Sequence, residues 1–266
     1  MMEFKYDEKT SATVLSVPLV LCFFDYPEEL TGFERETIKG ETTINRSVPN
    51  QYGTKYVSTP KPEFALIKED QSVFTNNEQQ IINRWLTSPQ LPKYLEFKKP
   101  DNEITIYRGT FTDVRFKPAF NPIGAICQFE YDSPYAWKSQ EKHFTAAGTY
   151  TIYVNSDETE KYVYPILTVK TETTTDIIVK NVTDNENSMN IHTYAKLPMT
   201  FDCKLCIPTD DTKQGAISYK DLGWEDVGNI YWLRLLPGTN VIQITGDADV
   251  KITYKCPQKM VGGFLC

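Results

Sequence analysis

The sequence predicts a mainly β chain of two domains, and three observations carry that prediction. At 266 residues the chain fits two domains of about 130 residues or one large β domain, and two are favoured because single cores stop growing past roughly 250 residues. It carries 16 Tyr and 14 Phe, side chains suited to half-buried pleated surfaces. Its apolar runs are short, alternate with polar residues, and are punctuated by turn signals every 8 to 12 residues or so, the rhythm of an antiparallel sandwich. A composition of 40% hydrophobic and 24% charged residues is that of a globular chain and excludes a disordered one.

Phe4 to Phe24 supplies one or two strands before Pro27-Glu28-Glu29 turns the chain. As a helix, Val14 to Phe24 would span only about 16 Å, and Pro18 interrupts it, so it reads as a buried strand and not a membrane span. Residues 31–62 are polar and Thr-rich, with turn signals at Lys39-Gly40 and Pro49-Asn50-Gln51-Tyr52-Gly53. They suit a long surface hairpin or an extended arm that reaches a neighbour. Thr75-Asn76-Asn77-Glu78 has the Thr-x-x-Glu spacing of a capping box, so a helix starts there. Ile81, Ile82, Trp85 and Leu86 give it one apolar stripe, and Ser88-Pro89 ends it. Strands follow at Tyr94–Phe97, Ile104–Tyr107, Phe111–Phe116 and Ala125–Tyr131.

The Ser133-Pro134-Tyr135 corner marks a seam, dividing the chain into residues 1–132 and 133–266. Beyond it the rhythm resumes at Tyr150–Val154, Pro165–Val169, Asp176–Val179, Ile191–Tyr194 and Met199–Asp202. Tyr231–Leu235 also alternates like a strand. The clearest alternation is in the last hairpin, Val241–Thr245 and Val250–Lys255 around Gly246-Asp247.

The net charge is −7, with 15 of 28 basic and 19 of 35 acidic residues ahead of Tyr135, so both halves are mildly acidic. Without a basic cluster, the electrostatic footprint of a nucleic-acid binder is missing. The charged N-terminus lacks the apolar core of a signal peptide. The chain is therefore expected to be made in the cytosol, where thiols stay reduced and structural disulfides are not expected.

Catalytic patterns are absent: there is no Gly-rich phosphate loop, Gly-x-Ser-x-Gly or His-Glu-x-x-His. His143 and His192 have no triad or metal partner at recognisable spacing, which points to surface or hydrogen-bonded structural roles. Sulfur is the exception. Cys203-Lys204-Leu205-Cys206 is a Cys-x-x-Cys, and with Cys256 and Cys266 it forms a candidate four-thiolate metal site. Zinc is the default ion, with an iron–sulfur centre as the weaker option. The alternative is that Cys203 and Cys206 are small hydrophobes near strand ends, as Cys22 and Cys127 are in core strands. Trp137, Trp224, Tyr231 and Trp232 are candidates for stacking on sugar rings, with core packing as the alternative.

Four segments stand out by their order and spacing: Trp85-Leu86 with Tyr94-Leu95, Tyr131-Asp132-Ser133-Pro134-Tyr135-Ala136, Tyr164-Pro165-Ile166, and Leu236-Pro237-Gly238-Thr239-Asn240 followed by Val250 to Tyr254. Together they resemble the distal tail proteins of long, non-contractile-tailed (siphovirus-type) bacteriophages, especially those of Gram-positive hosts. The resemblance implies a tail-tube-like β-sandwich or split barrel with one helix, followed by a galectin-like antiparallel β-sandwich. It implies a non-enzymatic homo-oligomeric ring, usually a hexamer, at the virion tail tip, assembled in the host cytoplasm. Its partners would be the tail-tube protein, the tail-associated or tail-fibre protein, and the receptor-binding protein or other baseplate components. DNA would only pass through the lumen, which an acidic lining would keep clear. Two rival readings are a carbohydrate-binding module acting on the host wall and a hydrolytic tail enzyme.

Overall fold

Along Gly124–Tyr131, Ala125, Cys127, Phe129 and Tyr131 are buried and the residues between them are partly exposed, as a strand with one face in a core requires. The same rule builds most of the chain. The computed structural model describes residues 3–23, 33–41, 48–57, 61–98, 104–116, 122–173, 175–193, 198–210, 217–224 and 230–260. These divide into two units, Met1–Trp137 with Lys259–Cys266, and Lys138–Gln258. The division falls five residues beyond the expected boundary at residue 132, and the chain returns to the first unit at Lys259. The return has a physical cause: Met260 is 2% exposed, lies in the first unit's core, and donates its N–H to the Pro134 carbonyl at 3.1 Å.

The first unit begins with β1 (Phe4–Tyr6), β2 (Lys9–Thr10), β3 (Leu19–Phe23), β4 (Arg35–Lys39), β5 (Gln51–Tyr56) and β6 (Glu63–Lys68). Helix α1 (Asn76–Thr87) follows, then β7 (Lys93–Lys98), β8 (Ile104–Phe116) and β9 (Gly124–Tyr131). Seven of these strands form an antiparallel sheet in the order β2-β1-β7-β8-β9-β6-β3. Its two ends meet at Ser11. The Ser11 N–H donates to Phe4 O at 2.8 Å and its carbonyl accepts from Leu19 N at 2.9 Å, while its hydroxyl accepts from Phe4 N at 3.1 Å. The sheet thus curls into a split barrel, one of the two forms, β-sandwich or split barrel, that the resemblance implies for this domain.

Rings fill that barrel. Tyr6 meets Phe111 edge-on at 4.9 Å and Phe111 meets Phe129 at 5.0 Å, the geometry that aromatic quadrupoles favour. Helix α1 closes one side with Ile82, Trp85 and Leu86 buried. Trp85 stacks on Phe4 at 5.3 Å and its indole donates to Tyr6 O at 3.0 Å. The predicted capping box is formed: Thr75 Oγ1 accepts from Glu78 N at 3.3 Å and Glu78 Oε2 accepts from Thr75 N at 2.7 Å. Glu78 also pairs with the buried Lys68 at 2.8 Å, which ties the helix start to β6.

One strand is longer than the sequence suggests. Ile104–Tyr107 and Phe111–Phe116 belong to a single β8, bulged between Phe111 and Asp113. Gly109 makes the junction possible, because a Cβ there would lie 2.2 Å from Glu130 O.

The division between units falls within β10 (Tyr135–Phe144). After it come β11 (Gly148–Val154), β12 (Ile166–Lys170), β13 (Thr175–Asn181), β14 (Asn187–Thr193), β15 (Met199–Asp202) and β16 (Ile207–Asp210). A 3-10 turn at Tyr219–Leu222 precedes β17 (Gly238–Thr245) and β18 (Asp249–Lys259). Strands run β11-β17-β13-β14 in one sheet and β16-β15-β12-β18 in a second set, all antiparallel. Their inward residues, among them Ile152, Leu167, Val179, Ile191, Phe201, Ile242 and Ile252, form one core, which makes this unit a β-sandwich.

Tyr231–Leu235 is not a strand: only Leu235 bridges, to Val163. Side chains hold it instead. Asp184, 3% exposed, accepts from Arg234 Nε at 2.7 Å, Arg234 Nη2 at 3.2 Å and Tyr231 O–H at 2.8 Å. Asn181 donates to Arg234 O at 2.8 Å and to Asn240 Oδ1 at 3.1 Å, so the segment's backbone groups find partners without a ladder.

Removing one partner of such a buried pair leaves an uncompensated charge, so Arg234→Ala should cost about 3 kcal/mol in denaturant unfolding followed by tryptophan fluorescence. The hydrogen bond from Arg234, aided by that from Tyr231, holds the Asp184 carboxyl below its usual range against the effect of burial. A depressed folded-state pKa gives stability that is complete above the unfolded value of roughly 3.9 and is lost as pH falls through the folded one. The stability gap between wild type and Asp184→Asn should therefore be constant above about pH 5 and shrink in stronger acid; a gap independent of pH would contradict this assignment.

Candidate functional site

Within residues 31–62, the described strands β4 and β5 form a hairpin, a separate two-stranded sheet that no other strand of the first unit joins among the described residues. Every residue of β5 is exposed, and in β4 only Thr37 is partly covered. Residues 31, 32, 42–47 and 58–60 lie outside the described residues. Two-stranded ribbons are marginal in water without further packing, so the hairpin's local contacts matter.

Its root is aromatic. Phe33 packs against the first core, with its ring 6.1 Å from Tyr56 and 6.4 Å from Tyr131, both edge-on. Further out, Lys55 pairs with Glu36 at 3.1 Å, Arg35 donates to Thr54 Oγ1, and the Arg35 guanidinium lies 5.6 Å from the Tyr56 ring centre. A bulge beyond Ile38 admits Tyr52 as an extra residue. Its ring covers Gly40, where a Cβ would come within 2.6 Å of it. Ile38 (42%), Tyr52 (68%) and Val48 (69%) remain open to solvent. These apolar groups on a thin polar ribbon are what a neighbouring surface can cover. Phe33 is the residue that the sequence reading passed over; an aromatic at each end of the polar stretch, Phe33 and Tyr56, is the signal that marks the root.

The cysteines are placed differently from one another. Cys203 is 1% exposed; its N–H bonds Pro165 O at 3.1 Å, and burial pushes its thiol up to about 12. Cys206 is exposed, with a left-handed φ of 58°, in the β15–β16 turn that Asp202 organises by accepting from Lys204 N and Leu205 N at 3.0 Å. Cys256 is buried in β18, its thiol pushed up to about 11 by burial. Because β12 pairs with β15 on one side and β18 on the other, those two strands are about 10 Å apart, whereas thiolates sharing one zinc lie within about 4 Å. The structure therefore brings Cys203 and Cys206 into one turn and holds Cys256 away from them; Cys266 lies outside the described residues. Among the described residues, no three His, Cys, Asp or Glu side chains gather as a metal site.

The remaining candidates are engaged in cross-strand or packing contacts. His143 bonds Asp249, and His192 Nδ1 lies 2.7 Å from Asp176 Oδ1 across β13–β14. Trp224 donates to Asn190 O and its ring meets Trp232 at 5.3 Å and Phe201 at 6.0 Å. Trp137 meets Tyr94 edge-on at 6.5 Å. Among the described residues, no helix is long and apolar enough to cross a membrane.

Unequal placement predicts unequal costs. Cys203→Ala should lower stability by about 1 kcal/mol and Cys206→Ala by less than about 0.5 kcal/mol in denaturant melts. A metal bound by both thiols would instead make the two losses similar and make both respond to a chelator.

The crystal structure of the SPP1 Dit protein, described as a paradigm of hub adsorption apparatus in Gram-positive infecting phages, superposes with a TM-score of 0.56. It is 12% identical and the match covers 97% of this chain and 99% of that one. Chains of the phage P2 baseplate in its activated conformation are also similar, with a TM-score of 0.48: with Ca, at 10% identity over 95% of this chain and 98% of that one, and with Sr, at 11% over 100% of both. No curated protein matches the sequence significantly. A family model described as a phage tail protein N-terminal domain matches residues 1–133, and a second, described as a phage tail C-terminal domain, matches residues 135–254. The chain belongs to this phage tail protein family.

Proposed function

We propose that this tail protein is the structural hub of the tail tip, a non-enzymatic subunit of a closed ring. The ring, six copies by resemblance to distal tail proteins, joins the tail tube to the tail-associated protein and the receptor-binding apparatus. It is assembled in the host cytoplasm and lets DNA pass through its lumen. The observation that carries the reading is the β4–β5 arm: a rooted, two-stranded ribbon with apolar side chains in water. A cyclic ring joins one patch to a different patch on the next copy, and an arm enlarges such a contact. The fold likeness to SPP1 Dit supports the same reading. The second unit, a sandwich with its own core, serves as the docking platform.

The test replaces Ile38 and Tyr52 with Asp together. Both are exposed, so the thermal melt should stay within about 1 kcal/mol of wild type, while light scattering should show the wild-type ring reduced to single copies. A wild type that stays monomeric with tail partners present, or a ring indifferent to both substitutions, would overturn the reading.

A further inference from the structure

The first unit also contains a groove separate from the β4–β5 arm. It lies between the first hairpin and the C-terminal half of α1 and has a volume of about 750 Å³. Val14, Ile81, Trp85 and Leu91 give it an apolar lining, and Leu91 is 72% exposed. Three cations stand along it. Lys93 is neutralised by Asp7 at 2.7 Å, whereas Lys9 and Arg84 are exposed and have no ion-pair partner among the described residues. An apolar floor beside two unpaired cations is complementary to a segment that carries both carboxylates and large apolar side chains.

We propose that the groove receives the run Phe24–Leu30 of a neighbouring copy of this chain, an inference that rests on the ring reading. That run, Phe-Asp-Tyr-Pro-Glu-Glu-Leu, combines the carboxylates of Asp25, Glu28 and Glu29 with Phe24, Tyr26 and Leu30 and contains no base. It lies outside the described residues. Asp221–Val227 has a similar composition, but Leu222 is buried and Trp224 is locked into its aromatic cluster, so that stretch cannot leave its own core. Opposite charges at the contact fix its register and suppress wrong pairings.

A charge swap in the full chain tests this. Lys9→Glu with Arg84→Glu, and separately Glu28→Lys with Glu29→Lys, should each raise the subunit concentration needed for ring formation at least about tenfold, with thermal melts near wild type. A 1:1 mixture of the two variants should restore assembly, since every contact can then join opposite charges. If the quadruple variant restores assembly but the mixture does not, the contact is made within one copy and the proposal is overturned. If wild type assembles and the groove variant assembles equally well, or if neither combination restores assembly, the groove is not the seat of this run although the ring reading survives. If wild type never assembles, the ring reading itself fails.

Discussion

Ser11 sits where the two ends of the first unit's sheet meet, and its three hydrogen bonds to Phe4 and Leu19 join edges that seven strands would otherwise leave apart. An open edge of unpaired N–H and C=O groups is a template for indiscriminate pairing. With Ser11 fully buried, Leu19 and Phe4 are held close enough for Phe4, Tyr6, Trp85, Phe111 and Phe129 to share one core. Helix α1 then has a fixed surface to cover, and Phe33 has a fixed surface to root against.

With that sheet closed, two features of the first unit stay open among the described residues: an arm that no third strand covers and a groove with cations beside an apolar lining. The second unit is satisfied internally in a different way. The Asp184–Arg234–Tyr231 cluster and the Asn181–Asn240 pair stand in for a missing ladder along residues 231–235. Each unit thus completes a core of its own.

Local chemistry was legible in the sequence. The Thr75–Glu78 capping box, the α1 stripe and the alternation of β18 each depend on neighbours a few residues apart, and each is present. The hairpin root was less legible because Phe33 packs on Tyr131, far along the chain. Arg234 and Asp184 are separated by 50 positions, so Tyr231–Leu235 reads as a strand until its partner is known. The cysteines divide along the same line. Cys203 and Cys206, three positions apart, do share one turn, whereas the placement of Cys256 depends on the long-range pairing of β12 between β15 and β18, which holds it away from them.

The central claim is that copies of this chain close into a ring through the arm. Electron microscopy of the purified full-length protein tests it most directly. The account predicts closed rings in which density for residues 33–57 of each copy lies against the adjacent one. Isolated copies, or rings whose arms point away from every neighbour, would contradict it.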